Sequence, residues 1–278
     1  MEASVHTDIP KQLSSQIVVW DKVFYINENW KNLITKRENR LNKISRLKGD
    51  NQRFSMWKRA EQCLVANIDV WIIVASATRP TFHSNFIDRY NILFQYWNVK
   101  PLICITKSDL TELDDPILNR YKNELWIKVI YCSTVSWKGI EELKKEISGK
   151  IVVLVWNSWV WKSSLVNHLR WVEESKTQEV NEKYWQWKHT TTSSQLFERM
   201  EDSYIIDTPW IRSLELLELK KDDLKYYFTE FEKFTSACKY KDCSHSHEPN
   251  CGVKKAVEKW ELSAPRYNNY IRISDSLV

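Results

Sequence analysis

Glycine is nearly missing from this 278-residue chain, which has 4 glycines against 15 tryptophans. Ordinary proteins carry about 7% glycine, the residue used wherever a turn or ligand loop needs positive φ. As it stands, the sequence excludes any loop built from several glycines. Trp20, Trp71, Trp97, Trp126, Trp137, Trp159, Trp210 and Trp260 lie where turns or strand ends are expected, within two residues of Asp, Asn, Ser, Pro or Lys. They follow neither a helical nor a strand period, which disfavours a core built on indoles. Counting every tryptophan as glycine brings the share to roughly 7%, the ordinary value. The pattern points to an ancestral sequence with glycine at most of these positions.

Long apolar runs are missing too. None approaches the ~18 residues of a membrane span, and MEASVHTDIP lacks a basic-then-apolar leader pattern. A soluble, cytoplasmic, monomeric protein with no membrane partner is expected. No strong excess of one charge is present either. The net charge of +5 is compatible with an RNA partner and equally with a solvated basic surface. The length and the 43% hydrophobic content leave room for two or three modules with real cores.

What is present is a run of strands and helices with polar loops after the strands. Ile17–Ile26 reads as two short strands around a turn, and 32–46 is polar, basic and partly alternating. Residues 1–60 are thus expected to form a small β-barrel, short for a complete one. Its Lys31, Lys36, Arg37, Arg40, Lys43 and Arg46 form either a solvated face or a nucleic-acid face. The stretch 53–60 reads as a linker. From Asn67 onward buried strands (69–75, 101–105, 127–131) alternate with helices (84–96, 140–147), which implies a parallel sheet covered on both faces. Ligands of such sheets sit at the carboxyl ends of the strands.

Four loops at those ends carry chemistry. Thr106-Lys107-Ser108-Asp109 follows the [NT]-K-x-D pattern. Asp109 accepts both the ring N–H and the exocyclic amine of guanine, a pair adenine does not offer, while the Lys107 stem packs over the base. Ser133, in Cys132-Ser133-Thr134, stands where backbone N–H groups approach the guanine carbonyl. The apolar run 151–155 then leads through Trp156, Asn157, Ser158, Trp159, Val160 and Trp161 to Lys162, Ser163 and Ser164 at a helix start. This is the G-x-x-x-x-G-K-[ST] phosphate loop with Trp156 and Trp161 at its glycine positions; Lys reaches the outer phosphates and Ser binds Mg²⁺. Downstream, Lys188-His189-Thr190-Thr191-Thr192 is either a Mg²⁺-completing switch segment or an ordinary Thr-rich strand. A strand ending in Asp207-Thr208-Pro209-Trp210 reads as D-x-x-G with Trp for Gly, Asp207 serving Mg²⁺ and the residue 210 N–H the γ-phosphate. The guanine-reading elements precede the phosphate loop, whereas an ordinary GTPase has the phosphate loop first. The order is that of a circularly permuted GTPase.

The last module has the spacing Cys238-x₄-Cys243-x-His245-x₅-Cys251. Three thiolates and an imidazole meet the tetrahedral requirement of one structural Zn²⁺. A reducing compartment disfavours disulfides here, and His247 sits too close to His245 for both to point inward. Cys63, Cys104 and Cys132, in or near apolar stretches, read as core thiols.

Taken together, TKSD, WNSWVWKSS, KHTTT, DTPW, the Cys-Cys-His-Cys knuckle with HEPNC and a closing RYNNY resemble the small ribosomal subunit biogenesis GTPase RsgA family. The resemblance covers roughly residues 60 to 272 in this sequence. It implies an α/β fold in three parts: an OB-like barrel over 1–60, partial here, a permuted GTPase domain over 61–220, and a zinc-binding helical domain over 221–278. It also implies GTP hydrolysis, with Mg²⁺ and GTP or GDP bound, stimulated by the small ribosomal subunit and its rRNA during late maturation. His189 and Thr191 become the candidates for supporting hydrolysis, because Ile211 stands where many GTPases place a water-orienting Gln. With indoles in the phosphate loop, the chain is expected to bind GTP far more weakly than a glycine-bearing version. A zinc-stabilised RNA-binding protein with an inoperative nucleotide site is the competing reading.

Overall fold

The computed structural model describes residues 17–28, 31–47, 61–78, 83–111, 116–156, 162–169, 195–198, 203–207 and 219–277. Four strands come first: β1 (Val23–Glu28), β2 (Lys31–Arg37), β3 (Lys43–Leu47) and β4 (Glu61–Ala66). β1 pairs antiparallel with β2, and β3 with β4, as two separate two-stranded sheets, and an isolated parallel bridge ties Val19, ahead of β1, to Val65 of β4. The turn expected near residue 20 is present, with Trp20 at φ 67°. The N-terminal module therefore draws its β4 from beyond residue 60. The stretch 53–60 lies outside the described residues.

The central sheet has six strands in the order β7-β6-β5-β8-β10-β9. They are β5 (Val70–Ser76), β6 (Lys100–Thr106), β7 (Lys128–Tyr131), β8 (Ile151–Trp156), β9 (Gln195–Glu198) and β10 (Tyr204–Asp207). All neighbours run parallel except edge strand β9, which is antiparallel to β10. The apolar runs without alternation are explained by burial on both faces. Trp71, Ile73, Ile103, Ile105, Val153 and Val155 join one core, and Val70, Ile72, Val74, Leu102, Val152 and Leu154 the other.

Helices α1 (Ser84–Tyr96) and α2 (Pro116–Asn123) contribute to the first core through Ile87, Leu93, Leu118 and Tyr121. Helices α3 (Ile140–Ile147) and α4 (Lys162–Leu169) contribute to the second through Leu143, Ile147, Leu165 and Leu169. Trp71 departs from the expectation that it marks a turn or strand end. It is the second residue of β5, buried against Phe94 and Trp97.

The C-terminal module consists of two 3₁₀ turns (Lys221–Tyr227 and Thr229–Phe231), a short α5 (Glu232–Thr235), α6 (Gly252–Glu258) and α7 (Ala264–Ser276). Ser263 caps α7 with Pro in its first turn. Phe228, Phe231, Val253, Tyr270 and Ile273 belong to the same buried core as α1 and β5. Among the described residues no helix is long and apolar enough to cross a membrane.

Candidate nucleotide site and metal centre

The loops after β6 and β7 are tied together at the carboxyl end of the sheet. Ser108 N–H donates to Cys132 O at 3.1 Å and Cys132 N–H to Ile105 O at 2.7 Å. Thr106, buried, donates its hydroxyl to Ala75 O at 3.1 Å, so it holds the loop to β5. Lys107 takes φ 59°, and its ammonium donates to Thr78 O at 3.2 Å. Asp109 is exposed next to it. Across the gap, buried Ser133 accepts the N–H groups of Val135 and Ser136 at 3.1 and 2.9 Å, which shapes the second loop. Ser108 Oγ, between the two loops, is buried with no partner among the described residues, the kind of orphan a bound base or water satisfies.

β5 and β8 separate these loops from β10. The register of Asp207 with Leu154 brings the ends of β8 and β10 to one edge. Lys162 opens α4, as the phosphate-loop pattern requires, with Ser163 and Ser164 following in its first turn. Residues 157–161 (Asn157, Ser158, Trp159, Val160, Trp161), His189, Thr191 and Trp210 lie outside the described residues. The structure thus ties the loops after β6 and β7 together directly, and brings the carboxyl ends of β8 and β10 to the same side of the sheet.

In the C-terminal module the candidate ligand atoms of Cys238, Cys243, His245 and Cys251 all lie within 4.8 Å of one another. Cys238 Sγ is 3.9 Å from Cys251 Sγ, and His245 Nδ1 is 3.6 and 3.4 Å from those two sulfurs. A tetrahedral Zn²⁺ with sulfur at about 2.3 Å and nitrogen at about 2.0 Å separates its ligands by about 3.5–3.8 Å. The four residues fit that ion. Gly252 N–H donates to Cys238 Sγ at 3.2 Å, a contact that favours thiolate. A Cβ at Gly252 would lie 2.2 Å from Phe234 O, so the approach needs glycine.

Burial pushes the Cys243 thiol up to about 12 and pushes His245 down, which leaves the imidazole neutral and able to ligate. Tyr267 donates its hydroxyl to His245 O at 2.7 Å and Tyr270 donates to Ser244 O, clamping the loop to α7. His247 is exposed and outside the cluster. Cys104 and Cys132 are buried core thiols, and Cys63 is half-buried.

Two features have no signal in the sequence pattern. Arg266 is buried between Asp88 of α1 and Glu230 of the second 3₁₀ turn, with ion pairs to both. Asn269 donates to Asp88 at 2.6 Å, and Tyr121 of α2 donates to the same carboxylate. The second feature is on the N-terminal module, where exposed Phe24 and Tyr25 stand across the β1–β2 ladder from Lys36 and Ile34. Only the pairing interleaves aromatics with cations, so a linear reading misses it.

A parallel sheet with guanine-side loops preceding the phosphate loop in the chain, followed by a Cys₃His cluster, defines a circularly permuted GTPase with an added metal knuckle. The RsgA GTPase family model matches residues 37–217, and the chain belongs to that family. It is 36% identical over 222 residues to the small ribosomal subunit biogenesis GTPase RsgA of Chlorobaculum parvum, covering 79% of this chain and 71% of that protein. The Clostridium botulinum protein of the same name is 35% identical over 229 residues, covering 81% and 79%. The crystal structure of YjeQ from Thermotoga maritima superposes with a TM-score of 0.71 at 28% identity, covering 96% of this chain and 86% of that one. YloQ, a circularly permuted GTPase, gives 0.64 at 26%, covering 92% and 79%.

Proposed function

We propose that the chain is a GTP-binding and GTP-hydrolysing factor for late maturation of the small ribosomal subunit, binding its rRNA and stimulated by it. The observation that carries the reading is the joined pair of guanine-side loops at the carboxyl ends of β6 and β7, with Asp109 exposed beside Lys107. The relatives' names supply the ribosomal context. Asp109 and Lys107 read the base, with Ser133 shaping the opposing loop. By their place in the sequence, Lys162 and Ser163 serve phosphate and Mg²⁺, and Asp207 serves the switch. The Mg²⁺ neutralises phosphate charge when bound. His189 and Thr191 support hydrolysis in place of the absent Gln.

A structural Zn²⁺ held by Cys238, Cys243, His245 and Cys251 secures the C-terminal module. The division into an OB-like, partial barrel (1–60), a GTPase domain (61–220) and a zinc-binding helical domain (221–278) belongs to this reading, as does a monomeric, cytoplasmic protein. Exposed Phe24 opposite Lys36, with exposed Tyr25 next to it, favours an RNA face on the barrel, because aromatic faces stack on bases while cations meet phosphate.

A GDP titration with ATP as competitor tests the reading, with Asp109→Asn alongside. Saturable, ATP-insensitive binding is expected from a version with glycine at 156, 159, 161 and 210. Asp109→Asn replaces an acceptor by a donor, so it should lose at least about tenfold for guanine, one good hydrogen-bonded pair, and gain for xanthine nucleotides. Unchanged guanine affinity in Asp109→Asn would defeat the assignment of this loop. Trp156 and Trp161 at the glycine positions favour the second reading, a zinc-stabilised ribosome- or RNA-binding protein without nucleotide. Absence of binding by the chain as written, with RNA binding intact and nucleotide binding restored in the glycine version, would select it.

A further inference from the structure

We infer that the protein made in its own cell carries glycine at the tryptophan positions of this chain, through a UGA codon that the cell reads as glycine. Three kinds of observation converge on one residue type. Trp20, Trp126, Trp137 and Trp260 have φ of 67°, 55°, 63° and 62°. This is the left-handed region, in which a Cβ crowds the following carbonyl and which glycine and asparagine occupy routinely. The remaining positive-φ residues besides glycine are Asn67, Asn98, Asn250, Lys107 and His245, so among the described residues tryptophan is the largest such class.

The indoles also return little. Trp126 and Trp260 are 85% and 83% exposed, so their rings bury almost nothing in exchange for the backbone strain. Trp20 and Trp71 are covered, yet both indole N–H groups are buried without an acceptor among the described residues. Buried indole N–H groups normally find one. Trp97, at φ −91° with a buried ring, supplies no argument of its own and follows from the class.

The third kind of observation is chemical and rests on the GTPase reading. Trp156, Trp161 and Trp210 hold the glycine positions of the phosphate-loop and D-x-x-G patterns, where the backbone itself approaches phosphate. Substitutions hostile to an indole at 20, 126, 137 and 260 by backbone angle, at 20 and 71 by an orphaned N–H and at 156, 161 and 210 by motif have no common cause in selection. One codon reading has. UGA differs by a single base from the tryptophan codon UGG and from the glycine codon GGA, so its assignment converts every such position together.

The test is peptide mass spectrometry on the endogenous protein isolated from its source cells, with the gene's codons read alongside. Glycine residue masses at 20, 126, 137 and 260, together with UGA at those codons, are expected. A tryptophan residue mass at any of those four positions overturns the inference, and so do UGG codons there. Ultraviolet emission gives an independent check, since a chain whose tryptophan codons are all UGA shows tyrosine fluorescence alone. Glycine masses in a protein that fails to bind guanine nucleotides would sink the GTPase reading and leave this inference standing. Tryptophan masses in a protein that binds them tightly would do the reverse.

Discussion

Arg266 stands almost fully buried between two carboxylates, with its guanidinium 4.5 Å from the Phe228 ring centroid. Burial pushes the Asp88 carboxyl up, and Arg266, Tyr121 and Asn269 oppose that shift. Removing the arginine leaves two carboxylates desolvated without a counter-charge, which typically costs about 3–5 kcal/mol. Arg266→Met should therefore lower the unfolding free energy from chemical denaturation by that much, and a loss under about 1 kcal/mol, the range of an exposed pair, would show that the charges find water instead. The opposite sign is expected at Trp126 and Trp260. A left-handed non-glycine residue costs about 1–2 kcal/mol, glycine gives back about 0.4–1 kcal/mol through unfolded-chain entropy, and the exposed rings contribute little. Each Trp→Gly change should then raise stability by roughly 0.5–1 kcal/mol in chemical denaturation; destabilisation at both sites would reverse the argument. Turn tryptophans were legible in the sequence because Asp, Asn, Ser or Lys stands within two residues of each, whereas Trp71 lies inside β5, in the apolar run 69–75 that the sequence also reads as a strand. The Arg266 cluster was illegible because its members stand at 88, 121, 230, 266 and 269, with no period connecting them.

Elements that bury a full face were the readable ones. The helices over 84–96 and 140–147 begin and end where their apolar spacing predicts, and the central strands match within a residue or two. Helix Pro116–Asn123 escaped notice because it buries only Leu118 and Tyr121, too few for a period. Edge strand β9 carries the weakest pattern, four residues paired on one side. The metal loop was legible from ligand type and spacing alone, since a tetrahedral ion constrains both. Its pH response follows from the thiols. Burial pushes Cys243 up to about 12 and raises Cys251, while burial pushes His245 down. At neutral pH, where an ordinary thiol is protonated, the metal must displace a proton from each of the three ligand thiols and none from the imidazole, so apparent Zn²⁺ affinity should fall about 1000-fold for each pH unit lowered, tenfold per displaced proton. Competition against a chromophoric chelator across neutral pH measures the slope, and a pH-independent affinity would mean the thiols are already ionised.

On the scale of the whole molecule, the metal knuckle is not an appendage. Cys243, Cys251, Phe231 and Tyr270 are continuous with the core that contains Trp71, Ile73 and the apolar face of α1. Phe231 and Tyr270 pack at 5.1 Å between ring centroids, and Tyr270 and Tyr267 bond back to the ligand loop. From the other side, α7 reaches α1 through Arg266 and Asn269 on Asp88. If the cluster holds the proposed Zn²⁺, its removal would free the loop that these tyrosines hold, and α7 would then lose part of the surface that fixes Arg266. Metal binding free energy is folding free energy for such a site, and through this continuous core it would be shared with the sheet. Chelation should accordingly lower the calorimetric melting temperature of the α/β sheet together with that of the C-terminal helices, as one transition. A zinc-stripped chain that melts in two steps, with the sheet at its original temperature, would show that the junction through Arg266 transmits nothing and that the knuckle folds independently.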